Sequence, residues 1–372
     1  MLTQIPKNAT VDIENKSAMT HPEEWSMLVG RQLLSKDQRF PVETSDQLDA
    51  FVKFAIANKS LGRVLPAMVG LTSQVNNQIQ TLRINQQTRL GEALRLLEET
   101  QQICLRLNVP FLVLKSFDAL PDLGHDIDLL IGTNLDKVRN ELLKSLHCYP
   151  VTLTFCDRQA GKFSTFIEGY TFDFELYARI SQLGEEYVDS QKLLENRKKE
   201  TLFQSETYLC SSSDRVLVTC IHTIYRHGKL RLSDVNVAFD AFKVGVDSET
   251  ILRNVEIAGI RKGFALFIAI LEQAATSFTG NAIIVPVKLH NYSHVVLAKD
   301  PLLARTVKHF QVQYPLRLPI WLSVGLFLYK SASDFSGRKL ASGVRSLVAP
   351  LVLLLDKMIP LKLQRAIAVR IW

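Results

Sequence analysis

The sequence predicts an α+β protein: a small mixed sheet flanked by N-terminal helices and followed by a helical C-terminal domain. Three observations predict it. Residues 74–107 carry apolar side chains at helical spacing, two short apolar runs follow at 111–114 and 126–131, and a second helical pattern covers 135–146. Next come three β-like runs at 151–156, 163–167 and 170–177, with Gly161 and Gly169 at turns. From residue 211 onward the periodicity is mostly helical, with no internal repeat and no low-complexity segment.

Residues 1–22 are polar and irregular and read as a loose arm. Helices are expected over 23–34 and 45–57, the second opened by Ser45-Asp46, whose short polar side chains suit a helix cap. In the long tract at 74–107, Leu90, Leu94, Leu97 and Cys104 recur at helix spacing. Asn108-Val109-Pro110 ends it, because the residue before proline is pushed out of the helical region. The amide-rich first half has a ragged stripe, so it is expected to stand partly off the core. Gly132-Thr133-Asn134 turns the second strand into the helix at 135–146. The stretch 186–199 reads as a helix with a solvated basic end, Arg197-Lys198-Lys199. Ser213-Asp214 is expected to cap a helix that gathers Leu217, Cys220, Ile221 and Ile224 on one side, and 264–275 reads as an apolar core helix. These patterns divide the chain into an arm with helices at 1–107, a sheet core at 108–206, a helical domain at 207–316 and basic, apolar helices at 317–372.

At 372 residues, 47% hydrophobic and 22% charged, the chain has an ordinary globular composition and the length for two or three modules. Its net charge of +7 suits polyanionic partners. Five cysteines, odd in number and without C-x-x-C spacing, imply reduced thiols, and the N-terminal stretch lacks the layout of a signal peptide. A cytoplasmic location is the expectation. There is no G-x-x-x-x-G-K, no G-x-G-x-x-G and no paired-cysteine motif, which argues against a P-loop ATPase, a Rossmann enzyme and a cysteine zinc site. Residues 317–372 hold nine basic and two acidic residues, a net charge equal to that of the whole chain. The apolar blocks at 318–329 and 347–355 are shorter than the ~20 residues a membrane span needs. They read as core helices, with a membrane-surface or RNA-facing amphipathic element as the alternative.

The chemistry concentrates in residues 111–132. Asp126, Ile127 and Asp128 open the second strand, and residues two apart on a strand share a face. Both carboxylates therefore project together, while Ile127 and Leu129 turn to the core. Like charges that close repel, and burying them together is costly unless a cation sits between them. Carboxylate oxygens suit a hard ion such as Mg²⁺, which fills its other positions with water and substrate phosphates. The stretch reads as a site of metal-dependent phosphate chemistry, with solvated carboxylates at a strand start as the ordinary alternative. His125 points to the opposite face from Asp126 and is not expected to be a ligand. Gly124 permits the tight turn that delivers Asp126.

Together these motifs resemble the polymerase β-type nucleotidyltransferase superfamily. The match is to a prokaryotic branch in which an apolar strand ending Leu-Lys-Gly precedes Asp-hydrophobic-Asp-Leu-Leu. Leu114-Lys115-Ser116 corresponds to the first part, with Ser116 in place of glycine, and Asp126-Ile127-Asp128-Leu129-Leu130 to the second. The branch continues with an Asp-apolar-His pair on a strand. Here 171–177 reads TFDFELY, so Asp173 takes the aspartate position and Glu175 stands where histidine is usual. A later helix with two histidines and a Leu-Arg-x-x-Asp-like segment is matched by His222, His227 and Leu230-Arg231-Leu232-Ser233-Asp234.

The resemblance implies a nucleotidyltransferase core and transfer of a nucleoside monophosphate from a triphosphate such as ATP to an acceptor hydroxyl, with release of pyrophosphate. Asp126, Asp128 and Asp173 would hold two Mg²⁺ ions, for which Mn²⁺ can substitute, and Glu175 faces the same way as Asp173 and could replace it. Lys115, Ser116, Glu175, His222 and Arg226 would contact the nucleotide and its metal. Lys115 serves equally as a phosphate contact or as a counter-charge to the carboxylates. His222 serves as readily in packing, and Arg231 with Asp234 as a structural ion pair. The acceptor, whether small molecule, protein or RNA, is encoded in no motif. A catalytically inactive nucleotide-binding or scaffold protein of the same fold, associated with a membrane surface through 317–372, is the alternative.

Overall fold

The computed structural model describes residues 22–358 apart from 36–38, 116, 118, 119, 125, 152, 154–156, 159, 160, 183, 184, 203, 204, 280–283, 309, 311, 312 and 338. Also outside the description are the side chains of 22, 23, 33–35, 173, 182, 205 and 353–358. The expected arm at 1–22 thus lies almost wholly outside the described residues.

The architecture is α+β. Helix α1 (Pro22–Ser35) leads through strand β1 (Phe40–Val42) to α2 (Ser45–Ala57) and the single turn α3 (Leu61–Val64). Strand β2 (Met68–Gly70) pairs in parallel with β1. The cap of α2 is not the Ser45-Asp46 pair but Thr44, whose extended backbone lets its hydroxyl accept from the Gln47 N–H at 3.2 Å. Helix α4 (Ser73–Arg106) follows, and its stripe is ragged because it serves two cores in turn. Val75 and Ile79 pack with the helical part of the molecule, whereas Ala93, Leu96, Leu97, Ile103 and Cys104 pack on the sheet. The amide-rich stretch between them faces largely outward.

The sheet holds β3 (Leu112–Val113), β4 (Asp126–Leu130), β5 (Cys148–Pro150), β6 (Lys162–Ile167) and β7 (Asp173–Tyr177), with α5 (Leu135–Ser145) after β4. The small hairpin β8 (Ser181–Gln182) and β9 (Glu185–Glu186) and the helix α6 (Ser190–Glu195) lead to β10 (Lys198–Leu202) and β11 (Ser205–Leu209). Strand order is β10-β11-β3-β4-β7-β6-β5. β4 runs parallel to β7 and β11 to β3, and the other pairs are antiparallel.

Two sequence expectations shift here. The strand foreseen at 151–156 lies at Cys148–Pro150, an edge position where the missing proline N–H leaves no ladder bond unmade, and most of 151–156 is outside the described residues. The helix foreseen at 186–199 stops at Glu195, and Lys198 and Lys199 begin the other edge strand. Lysines suit an exposed edge because they oppose pairing with a second chain. Lys199 meets Glu206 across the hairpin at 2.5 Å. The sheet therefore extends past residue 206, to Leu209.

The remainder is helical: α7 (Ser212–Cys220), a turn wound i→i+5 at Ile221–His227, α8 (Leu232–Val244), α9 (Ser248–Ala258), α10 (Arg261–Thr279), α11 (Val287–Ala298), α12 (Pro301–Lys308), α13 (Ile320–Ser336) and α14 (Leu340–Met358). Strands β12 (Lys229–Leu230) and β13 (Leu316–Arg317) pair between them. Ser211, two residues before the expected cap, closes the start of α7. Its hydroxyl accepts from the Asp214 N–H at 3.2 Å and donates to the Asp214 carboxylate at 2.6 Å. Helix α10 is buried along 263–271, as its apolar run implies. In the tail, Leu322, Leu326 and Phe327 are buried, while Ile320, Trp321, Leu328, Val344, Leu347 and Leu351 are exposed. Among the described residues no helix is long and apolar enough to cross a membrane.

The N-terminal helices are not a separate unit. Trp25, Val29, Phe51 and Phe54 share one apolar core with Phe264, Phe267, Phe278 and Phe327 of the C-terminal helices. A second core lies between the sheet, α4 and α5. Burying each large apolar side chain contributes roughly 1.5–3 kcal/mol, so each core is enough to fix its own body. The candidate site lies where the two bodies meet.

Candidate functional site

Alternation along β4 sends Ile127, Leu129 and Ile131 into the core under α4 and α5, and leaves Asp126 and Asp128 on the opposite face. Strand β7 alternates in the same way, with Phe174 and Leu176 in that core. The two strands are parallel, and their register sets Asp126 beside Asp173 and Asp128 beside Glu175. Asp128 is 1% exposed and Glu175 8%, and carboxylate oxygens of Asp126, Asp128 and Glu175 lie within 4.8 Å of one another. Asp173 is thus the β7 neighbour of Asp126, but its side chain lies outside the described residues, as do Ser116 and His125. The triad the described side chains form contains Glu175.

Cations and one phenol surround this cluster. The Leu114 N–H donates to the Asp128 carbonyl at 2.9 Å, extending the β3–β4 ladder, and the next residue, Lys115, places Nζ 3.2 Å from Asp128 Oδ1. Lys162 on β6 lies 2.5 Å from Glu175 Oε1 and 3.4 Å from Asp157. The Tyr177 hydroxyl donates to Glu175 Oε2 at 2.5 Å, and Arg226 hydrogen-bonds that same phenol. Burial raises the Glu175 pKa, the charges of Asp128 and Asp126 raise it further, and Lys162 opposes them. Burial works against the charge of Lys162, but Glu175 and Asp157 outweigh it and its pKa is raised. Arg226 behaves alike: burial disfavours its charge, and Tyr177 and Asp128 more than restore it. The like-charge strain left on Glu175 is what a hard divalent cation between the carboxylates would relieve, and an all-oxygen donor set fits Mg²⁺.

The loop before Asp126 is pinned at two points. Asp122, 4% exposed, accepts from the Arg63 N–H at 3.1 Å, and its other oxygen forms an ion pair with Arg63 Nε at 3.1 Å. Arg89 of α4 donates to the Gly124 carbonyl at 2.9 Å with its guanidinium 5.0 Å over Phe172. Gly124 is needed for room rather than for a left-handed turn. A Cβ there would meet Lys59 Nζ at 2.8 Å and Asp126 Oδ1 at 3.0 Å.

The facing wall is helical. Buried Asn58 accepts from the Leu232 N–H at 3.3 Å and thereby ties the end of α2 to the start of α8. Lys59, next in the chain and at φ 50°, is thus delivered to the cleft. The i→i+5 winding at Ile221–His227 brings His222 and His227 together, with their Nε2 atoms 2.9 Å apart and ring centres 4.3 Å apart. Such windings are rare and concentrate at functional sites. Burial, then Lys115, His227 and Arg226, hold His222 well below its ordinary pKa. Partial desolvation, with the cations Arg226 and Lys115, lowers the pKa of the solvent-exposed His227 as well, which favours the neutral form of both rings at pH 7. Asp234 is a helix cap, accepting from the Arg231 N–H at 2.8 Å, which favours its structural reading.

Between the walls lies a narrow cleft lined by Lys59, Lys115, Asp126, Asp128, His222 and Arg231 among others. A second, apolar recess shares Lys115 and His222 with it and is bounded by Tyr177, Ile180, Tyr187 and Ile221. One wall is thus acidic and the other basic, an arrangement able to hold a divalent cation against a polyphosphate. The chain matches no protein-family model and no curated protein.

Of the residues singled out from sequence, Lys115, Asp126, Asp128, Glu175, His222 and Arg226 converge here. Sequence reasoning missed Lys59, Lys162, Tyr177 and the Arg63–Asp122 pair. Lys162 was within reach: the β6–β7 register sets it opposite Tyr177, diagonal to Glu175. Lys59 left no signal, because its position follows from a tertiary contact of Asn58.

Proposed function

We propose that the chain is a Mg²⁺-dependent nucleotidyltransferase that moves a nucleoside monophosphate from a nucleoside triphosphate to an acceptor hydroxyl and releases pyrophosphate. The observation that carries this reading is the parallel β4–β7 register, which gathers Asp126, Asp128 and Glu175 on one sheet face, with Lys115 beside Asp128 and Lys59 and Arg231 across the cleft. Asp126, Asp128 and Glu175, with Asp173 at the adjoining strand position, would hold Mg²⁺. When bound, that ion lowers the pKa of an attacking hydroxyl and neutralises charge on the departing pyrophosphate.

The protein's own groups act by position and charge. Lys115 sits between carboxylate and cleft, so it can leave Asp128 for a phosphate oxygen as a mobile point charge. Lys59 and Arg231 would meet the outer phosphates. Neutral His222 and His227 offer hydrogen bonds without adding charge beside Arg226. Lys162 and Tyr177 hold Glu175 in place, and Arg226 in turn holds Tyr177. The apolar recess beside Lys115 has an aromatic lining suited to a nucleobase or an acceptor and would have to widen to admit one.

The deciding experiment is thermal stabilisation by nucleoside triphosphates with and without Mg²⁺, paired with pyrophosphate release in cell extract and mass identification of the labelled acceptor. Stabilisation that needs Mg²⁺ and vanishes in Asp126→Asn with Asp128→Asn is expected. A double variant that binds and reacts like wild type ends the proposal. Triphosphate binding with no pyrophosphate release across acceptors would instead indicate the inactive binding protein.

A second reading concerns the tail. Exposed Ile320, Trp321, Leu328, Val344, Leu347 and Leu351 occur in a segment of net charge +7, a combination suited to an anionic membrane surface. Co-sedimentation of the intact protein with phosphatidylserine vesicles, lost on deleting 317–372, tests it. No binding by the intact protein removes it.

A further inference from the structure

Helices α10 and α11 pack against each other on the side of the molecule built by the C-terminal helices, and neither lines the acidic cleft. On α11, His290 and His294 lie four residues apart, so their rings stand on one helix face with centres 4.2 Å apart. Glu272 reaches toward both from α10. Its Oε1 lies 2.7 Å from His290 Nδ1 and its Oε2 3.5 Å from His294 Nε2. One ligand atom from each of the three residues falls within 4.8 Å of the others.

The arrangement is held from below. Ser293, fully buried between the two histidines in sequence, donates to the Ala265 carbonyl at 2.9 Å, and Leu289 is buried beside it. Gln273, next to Glu272, donates to the Phe310 carbonyl at 2.6 Å. The helix pair therefore presents the three side chains from a fixed base, while the His294 side chain is 62% exposed and leaves a path from solvent.

Two imidazoles and one carboxylate form a borderline N₂O donor set. It suits Zn²⁺, Ni²⁺ or Cu²⁺ and does not suit Mg²⁺, which prefers oxygen. Bonds of about 2.0–2.1 Å in a tetrahedron place ligand atoms roughly 3.3–3.5 Å apart. Glu272 Oε2 already lies at such a distance from His294 and Oε1 lies closer to His290, and one atom from each residue falls within 4.8 Å of the others, so small side-chain rotations bring one carboxylate oxygen and both rings to a tetrahedral spacing.

We propose that Glu272, His290 and His294 form a second metal site, for a Zn²⁺-type cation, that clamps α10 to α11 and keeps one coordination position open to solvent. Because the site uses three protein ligands, the bound ion is exchangeable. It stabilises the helical body in proportion to free metal rather than being required for folding.

The test uses the full chain in the Asp126→Asn, Asp128→Asn background, which removes the carboxylate cluster as a competing site. ZnCl₂ is titrated by calorimetry, and melting is followed with and without Zn²⁺; Co²⁺ absorption reports the geometry. One equivalent of Zn²⁺ is expected to bind and to raise the melting temperature, with Mg²⁺ causing no shift at this site. His294→Ala should weaken Zn²⁺ by about 100-fold or more, since even outer partners of metal ligands are worth tenfold to hundredfold. Its melting without metal should match the parent, because that ring is mostly exposed. Glu272→Gln should weaken Zn²⁺ as well, and His290→Ala is a third check. No Zn²⁺ binding by the parent at micromolar free metal, or binding unchanged in His294→Ala, overturns the proposal.

Discussion

On the sheet wall of the cleft, Asp126, Asp128 and Glu175 are placed by strand pairing, and a ladder of backbone hydrogen bonds fixes their spacing. On the helical wall, Lys59, Arg226 and Arg231 come from three separate segments brought together by packing, a rare helical winding and the Asn58 staple. The sheet wall can hold a ligand geometry to a fraction of an ångström, which metal coordination demands. The helical wall supplies charge, whose effect falls off slowly with distance and tolerates longer, looser side chains. Under the proposed nucleotidyltransferase reading, the acidic wall would serve chemistry and the basic wall affinity.

Kinetics can break that assignment. Asp128→Asn is expected to lower kcat by about 10³-fold or more, a larger loss than its effect on nucleotide KM, since it would remove a ligand to the proposed charge-stabilising ion. Arg231→Ala is expected to raise nucleotide KM by about 10- to 100-fold, the worth of a charged hydrogen bond, with kcat near wild type. Steady-state pyrophosphate release measures both. Equal losses of kcat in the two variants would show that the walls do not divide the work.

The same contrast explains what could be read from sequence. Period-two alternation in 126–130 and 173–177 is local, so the shared face of Asp126, Asp128 and Glu175 was legible once both segments were taken as strands. That the strands are neighbours is not local; the family resemblance pointed to it, and the β4–β7 register has it. The helical wall was legible only as far as His222 and Arg226, which an α-helix already sets four apart. The i→i+5 winding that pairs His222 with His227 carries no sequence signal, because it depends on how the segment is packed. The edge strand at Lys198–Leu202 was misread as a helix end because exposed edges and exposed helix ends both favour lysine.

Stability separates the buried ion pair at the site from one at the sheet edge. The side chains of Lys162 and Glu175 are 10% and 11% exposed. Lys162→Met should cost about 3 kcal/mol or more, because it strands a buried carboxylate beside Asp128 and Asp126. Adding Glu175→Gln should recover most of the loss. Lys199→Ala, which removes the exposed partner of Glu206, should leave stability almost unchanged. Urea unfolding of the four proteins checks the ranking, and a Lys162→Met loss no larger than that of Lys199→Ala would mean that Glu175 is not strained by its neighbours.

A pH-dependent effect lies at the hinge between the walls, where Asp122 anchors the loop to Arg63. Burial raises the Asp122 pKa to about 7 against the opposing pull of Arg63 and of the Arg63 and Gly62 N–H groups. A carboxyl raised in the folded state binds a proton there that the unfolded chain, with an ordinary carboxyl, has lost. In that window the native state holds more protons, so stability falls as pH rises from about 4 to about 7 and then levels, with a slope of at most about 1.4 kcal/mol per pH unit for one group. Asp122→Asn removes the titration and keeps the shape. The stability of wild type relative to this variant should therefore decline between pH 5 and pH 7 and level off by about pH 8, as read from urea midpoints at each pH. The opposite sign, wild type gaining on the variant as pH rises, would mean that Arg63 wins over burial and that the hinge is a charged ion pair throughout.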